Sequence, residues 1–173
     1  MSSGPVNDKD VEEWKARINN ILAKPTDHIN QRSPDDSQPW YTSFFDCCSP
    51  IDLCLTSWCL PCVTFGKTHH RLRKDVKLEG YEPINTSCLF MCGAGCIGLH
   101  WIPLSMQRAD IREKYNLQGN CIVDIAAACC CGLCDLVQQE KEVSRRGNLQ
   151  QDAVKQQYQS NNEMAYPGAA APK

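Results

Sequence analysis

PINTSCLFMCGAGCIGLHWIPLSMQ, residues 83–107, contains no formally charged side chain. As a single α-helix it would measure about 37 Å, against a hydrocarbon core of about 30 Å. Its length is enough to cross a bilayer. Its composition pulls the other way, because Gly93, Gly95, Gly98 and Pro103 weaken a helix and Asn85 and His100 are polar. Two readings follow: a transmembrane or re-entrant segment, or a buried core helix. The three glycines allow close backbone approach in either setting. A second apolar segment, 121–137 (CIVDIAAACCCGLCDLV), carries Asp124 and Asp135. An ionised aspartate at mid-bilayer costs about 3 kcal/mol, so this segment is the weaker candidate for a span.

Working outward, residues 40–146 form a cysteine-rich body. Its first part, 47–66, is apolar apart from Asp52 and leads straight into a cationic run, Lys67, His69, His70, Arg71, Arg73 and Lys74. Residues 108–118 (RADIREKYNLQ) suit a helix, and Gly119-Asn120 marks a turn. Residues 138–146 are polar and helix-favouring, with Gly147 placed to end that helix. Ahead of the body, Val11, Trp14, Ile18, Ile21 and Leu22 follow helical spacing, with Asn7 or Asp8 as cap and Pro25 just beyond. A polar linker with two prolines completes 1–39, and 147–173 reads as a flexible tail. The expected fold is mainly α: a small cysteine-rich helical domain with one or two hydrophobic segments that are candidates for membrane embedding.

Cysteine is the anomaly in the composition. All 13 cysteines fall between Cys47 and Cys134. The first residues (MSSGPVNDKDVEEWK) lack a basic n-region and an apolar h-region, so no secretory signal is expected there and the thiols are expected to be reduced. Two Cys-x-x-Cys pairs, Cys59/Cys62 and Cys131/Cys134, have the spacing that turns two sulfurs onto one cation, and together they could supply four. Cys54, Cys121 and Cys130 are further candidate ligands. Thiolate favours zinc, cadmium or copper(I) over magnesium or calcium. The competing reading treats these cysteines as small buried hydrophobes. Cys88, Cys92, Cys96 and His100 recur every fourth residue, so neighbours would stack along one helix side as weaker ligands of a metal pathway, or else fill a crowded helix contact.

Lys67, Arg71, Arg73 and Lys74 are read either as a membrane-surface patch or as a solvated helix face. The net charge of −2 argues against nucleic acid as a partner. No nucleophile elbow, P-loop, dinucleotide fingerprint or His-Glu-x-x-His pattern is present, so catalysis is not expected. Thiol-redox chemistry at a Cys-x-x-Cys is the remaining enzymatic alternative.

At these residues the chain resembles the placenta-specific-eight family, which includes plant cadmium-resistance proteins and cell-number regulators. The resemblance takes in Cys54-Leu55-Thr56-Ser57-Trp58-Cys59-Leu60-Pro61-Cys62 and Val63-Thr64-Phe65-Gly66. It continues through Arg112-Glu113-Lys114-Tyr115-Asn116-Leu117, Cys121 with Asp124, and Cys130-Cys131-Gly132-Leu133-Cys134 running into Gln138-Gln139-Glu140. The chain departs from the plant signature at Leu55 and Leu60, and Val137 stands where a further cysteine is often found. The resemblance implies a small membrane protein, most simply at the plasma membrane, with both tails cytoplasmic. It also implies a role in zinc and cadmium homeostasis or efflux, or in regulating cell number through an interaction surface with structural zinc. Membrane lipid and further copies of the chain are the expected partners.

Overall fold

The computed structural model describes residues 4–164, with side chains described to residue 159. Among the described residues eight helices follow in order: α1 Asp8–Ala23, α2 Pro25–Ile29, α3 Ile51–Cys59, α4 Pro61–Arg73, α5 Thr86–Cys96, α6 Trp101–Tyr115, α7 Cys121–Cys130 and α8 Gly132–Met164. Among the described residues there is no strand beyond two isolated bridges, Arg32 with Asn120 and Gln38 with Leu117. These bridges tie the polar linker to the α6–α7 loop.

The charge-free stretch 83–107 does not form one long helix. Asn85 caps α5 by accepting the Cys88 N–H at 3.0 Å, and α5 ends at Cys96. Gly98 then adopts φ +75°, a left-handed conformation open to glycine and costly for other residues. The chain turns and α6 begins at Trp101, with Pro103 in its first turn, where a missing N–H costs nothing. The second apolar stretch is likewise divided, at Cys131 between α7 and α8. Among the described residues no helix is long and apolar enough to cross a membrane, and each of the two apolar stretches is divided between short helices or a short helix and the start of α8. Gly147, placed to end the last helix, instead lies inside α8. A Cβ there would stand 2.6 Å from Val76 Cγ2, so glycine serves close packing. Residues 165–173 of the expected tail lie outside the described residues.

The helices are held by two apolar clusters and a buried polar lattice. Trp14, Phe65, Met91, Leu104, Met106, Ala128 and Leu136 form one cluster; Leu72, Ile111, Tyr115, Leu117 and Val143 form the other. α1 docks as its apolar spacing requires: Asn7 caps it, Trp14 is 4 % exposed and stacks on His69 at 4.9 Å, and Leu22 faces outward. Between α6, α7 and α8 the core is ionic. Arg108 Nη1 donates to Asp135 Oδ1 at 2.6 Å and to Gln138 Oε1 at 2.8 Å, and its Nε lies 3.2 Å from Asp124 Oδ1. Arg112 Nε donates to Asp124 Oδ2 at 2.8 Å, Gln107 Nε2 to Gln139 Oε1 at 3.1 Å, and the Trp40 ring covers the Arg108 guanidinium at 3.9 Å. Burial pushes the Asp135 carboxyl up to about 6 against the pull of Arg108. Such a lattice is costly to break on one side, because the surviving charge has no water to turn to.

Two outcomes follow for stability. Arg108→Met should destabilise the fold by about 3–5 kcal/mol in urea denaturation, and adding Asp135→Leu should recover most of it; a loss under about 1 kcal/mol would contradict the lattice. His69 sets a pH dependence. Ser87 Oγ accepts from Trp14 Nε1 at 3.1 Å and lies 3.0 Å from His69 Nδ1, which it can therefore serve as donor. Burial, then the nearby Arg17 and Arg73, hold His69 down to about 3. Below about 6.5 the unfolded chain takes up a proton at this histidine that the folded chain refuses. Stability relative to His69→Gln should therefore fall by about 1.4 kcal/mol per pH unit from pH 6 to 4. A pH-independent difference would contradict the neutral, buried imidazole.

Candidate metal and thiol site

Three helix-to-helix turns gather at one end of the molecule. Leu60 links α3 to α4 in one residue, Cys131 links α7 to α8 in one residue, and residues 97–100 link α5 to α6. Leu60 (φ −135°, ψ 62°) and Cys131 (φ −147°, ψ 77°) share nearly the same conformation. Between the turns lies an apolar cavity of about 610 Å³, lined by Trp58, Pro61 and Cys62 from the first, Cys92, Gly95, Cys96 and His100 from the second, and Gly132 and Leu133 from the third, with Ser57, Met91, Leu104 and Leu136 as its floor. No charged residue lines it.

The cysteines fall into two neighbourhoods. In the first, Cys62 of α4 faces α5. The Cys88 thiol is pushed up to about 11 by burial first and by its hydrogen bond with Cys62 next. Cys92 is raised chiefly by charge repulsion from Cys62 and then from Cys96. These groups are therefore thiols at neutral pH, and a metal ion must displace their protons to bind. In the second neighbourhood, Cys131 and Cys134 form a disulfide at the start of α8, and Cys47 Sγ lies 3.2 Å from Cys134 Sγ. Cys131 Sγ accepts the Cys134 N–H at 3.4 Å. Cys47 is raised by burial and then by hydrogen bonding with Cys48, and Cys54 by burial and then by the same Cys48. The other eleven cysteines are free, against the sequence expectation of thirteen reduced thiols.

The residues singled out from the sequence are distributed as follows. Cys59 is exposed at the end of α3, Cys130 is exposed at the end of α7, and Cys121 opens α7, its thiol raised by burial and then by Asp124. Cys88, Cys92 and Cys96 share α5, whereas His100 stands beyond its end, yet Cys92, Cys96 and His100 meet again on the cavity wall. Among the described residues, no three or more His, Cys, Asp or Glu side chains converge tightly enough to hold a metal ion. The sulfurs brought together are pairs, Cys62 with Cys88 and Cys62 with Cys92, and not the four-sulfur cage that the two Cys-x-x-Cys motifs suggest. Lys67 and Arg71 pair with Glu140, Arg73 with Glu13 and Asp110, and Lys74 with Asp10. Sequence spacing did not point to the contact of Cys62 with Cys88 and Cys92, or to Cys47 beside Cys134. Both depend on which helices pack together.

Fold and thiols thus define a cysteine-rich, mainly helical domain with three of its thiols, Cys62, Cys92 and Cys96, lining an uncharged cavity at one end. Residues 40–142 match the PLAC8 family, and the chain belongs to that family. Among relatives, it is 32 % identical to Protein PLANT CADMIUM RESISTANCE 2 of Arabidopsis thaliana, over 69 % of this chain and 76 % of the relative. It is 31 % identical to Cell number regulator 10 of Zea mays, over 72 % of this chain and 77 % of the relative. No solved structure matches. The non-cysteine residues behind the sequence resemblance have a structural role here: Arg112 holds Asp124, Gln138 and Gln139 join the lattice, and Glu140 accepts from Thr68 and Arg71.

Proposed function

We propose that this protein is a non-enzymatic, membrane-associated binder of soft metal ions, zinc or cadmium, that contributes to metal homeostasis or efflux. The observation that carries the reading is the meeting of Cys62 with Cys88 and Cys92 beside an uncharged cavity, where Cys96 and His100 are further soft donors. The names of the cadmium-resistance relatives support the same chemistry. Thiolate ligands favour a soft ion and offset its charge in the apolar surroundings, and proximity of several donors permits exchange between them. Efflux requires self-association, since a single chain offers no spanning helix among its described residues. Gly93 and Gly95, with open space where a Cβ would stand, present backbone for close contact with a second copy.

A second reading, thiol-redox exchange, is favoured by the Cys131–Cys134 disulfide with Cys47 at 3.2 Å. One experiment separates the two. Purified, reduced full-length protein is titrated with cadmium and its bound metal measured by elemental analysis, alongside Cys62→Ser/Cys92→Ser and Cys59→Ser. The metal-binding reading expects the double variant to lose cadmium by at least about 100-fold in affinity, Cys59→Ser to retain it, and binding to tighten from pH 6 to 8 as thiol protons become easier to displace. Unchanged binding in the double variant, with reversible reduction of Cys131–Cys134 as the one thiol response, would move the assignment to redox exchange.

A further inference from the structure

We infer that the end of the molecule carrying the three turns is a lipid-docking surface that inserts into one leaflet of a bilayer without crossing it. The inference rests on the membrane association proposed above and specifies its geometry.

Charge in this fold varies along the helices rather than only around them. Residues 53–66, 83–107 and 125–134 carry no formal charge, and these are the stretches that lead into and out of the three turns. α4 is uncharged from Pro61 to Gly66 and then carries Lys67, Arg71 and Arg73; α6 is uncharged from Trp101 to Gln107 and then carries Arg108, Asp110 and Arg112. α8 is uncharged over its first three residues and charged from Asp135 onward. A helix that merely packs on a core is apolar on one side along its whole length. α4 and α6 change polarity at matching distances from their turns, after six and seven residues, and α8 does so sooner, after three. That pattern matches a boundary lying across the helix axes, which is what a water–lipid interface supplies.

The exposed residues agree. At the turns, Trp58 is 71 % exposed, Ile97 70 % and Leu60 52 %. Exposed apolar side chains also occur outside the turns, Leu22 and Phe45 among them, but Trp58, Leu60 and Ile97 sit on turns that carry no charge, which marks an interaction surface. The first charges met on leaving it are already neutralised, Lys67 by Glu140, and Arg108 and Asp135 by each other. The depth is set by the same count. From Leu60 to Lys67, and from Trp101 to Arg108, the helix advances about 10 Å. Interfacial elements bury about 5–10 Å, whereas the whole hydrocarbon core is about 30 Å thick. The uncharged end is thus tall enough for one leaflet and too short for two. The cavity with Cys62, Cys92 and Cys96 opens between the turns, so docking would seat those thiols at the lipid boundary.

The test is flotation of the full-length reduced protein with vesicles of phosphatidylcholine alone, comparing the wild-type chain with Trp58→Glu/Ile97→Glu. Both side chains are largely exposed, and thermal melts check that the variant remains folded. The wild-type protein should float and stay bound in 1 M salt, which screens electrostatic attraction but leaves apolar insertion intact. The double variant should partition about 100-fold more weakly. Tryptophan emission should be quenched most by lipids brominated near the headgroup end of the acyl chain, and this quenching should fall in Trp58→Phe, with Trp101 supplying the remainder. Failure of the wild-type chain to float would remove the membrane reading together with this surface. Flotation unchanged in the double variant would keep membrane association and overturn this surface. Strongest quenching by bromines at the bilayer centre would replace the one-leaflet geometry with a span. Concentration-dependent dimers lost in Trp58→Glu/Ile97→Glu, with no flotation, would reassign the surface to contact between copies.

Discussion

The Arg108 guanidinium decides how this chain packs. It reaches from α6 to Asp124 on α7 and Asp135 on α8, and Trp40 from the body's first residues closes over it. With Arg112 on Asp124, two arginines balance two aspartates in a core where each side chain is nearly sealed from water. Charges placed this way cost desolvation and are recovered only in one arrangement of the three helices. Apolar contacts alone would tolerate sliding or rotation of such short helices. The ionic lattice does not, and it therefore fixes the turns and the thiols that ride on them.

The same lattice explains why two oily stretches end as short helices. Asp124 and Asp135 are unsuited to a bilayer interior, yet they are satisfied inside the protein by arginines from the neighbouring stretch. Gly98 supplies the turn that lets α5 and α6 fold back. The result is a body whose charged half is tied together by ion pairs and whose uncharged half presents the turns, with the cysteine-lined cavity among them.

Much of this was legible in the sequence. The helical character, the N-terminal helix on Trp14, the turn at Gly119-Asn120 and the family resemblance were all readable from spacing and punctuation. Hydrophobic length misled at 83–107, because a charge count cannot distinguish one long helix from two short ones divided at Gly98. The aspartates of 121–137 could be seen as unsuited to lipid, but their partners Arg108 and Arg112 lie in another stretch, and sequence carries no signal of that pairing. The cysteines were read by local spacing, which draws Cys59 to Cys62 and Cys131 to Cys134. The structure joins Cys131 to Cys134, but tertiary packing sets Cys62 against Cys88 and Cys92 and brings Cys47 to Cys134, which spacing does not show.

The central claim is that helix packing sorts the cysteines into those two neighbourhoods. Mild diamide oxidation of the reduced, folded protein, followed by mass-spectrometric mapping of the cross-links, measures this directly. The account predicts Cys62 joined to Cys88 or Cys92, and Cys134 joined to Cys131 or Cys47. Cross-links connecting Cys59 or Cys62 with Cys131 or Cys134 would contradict it.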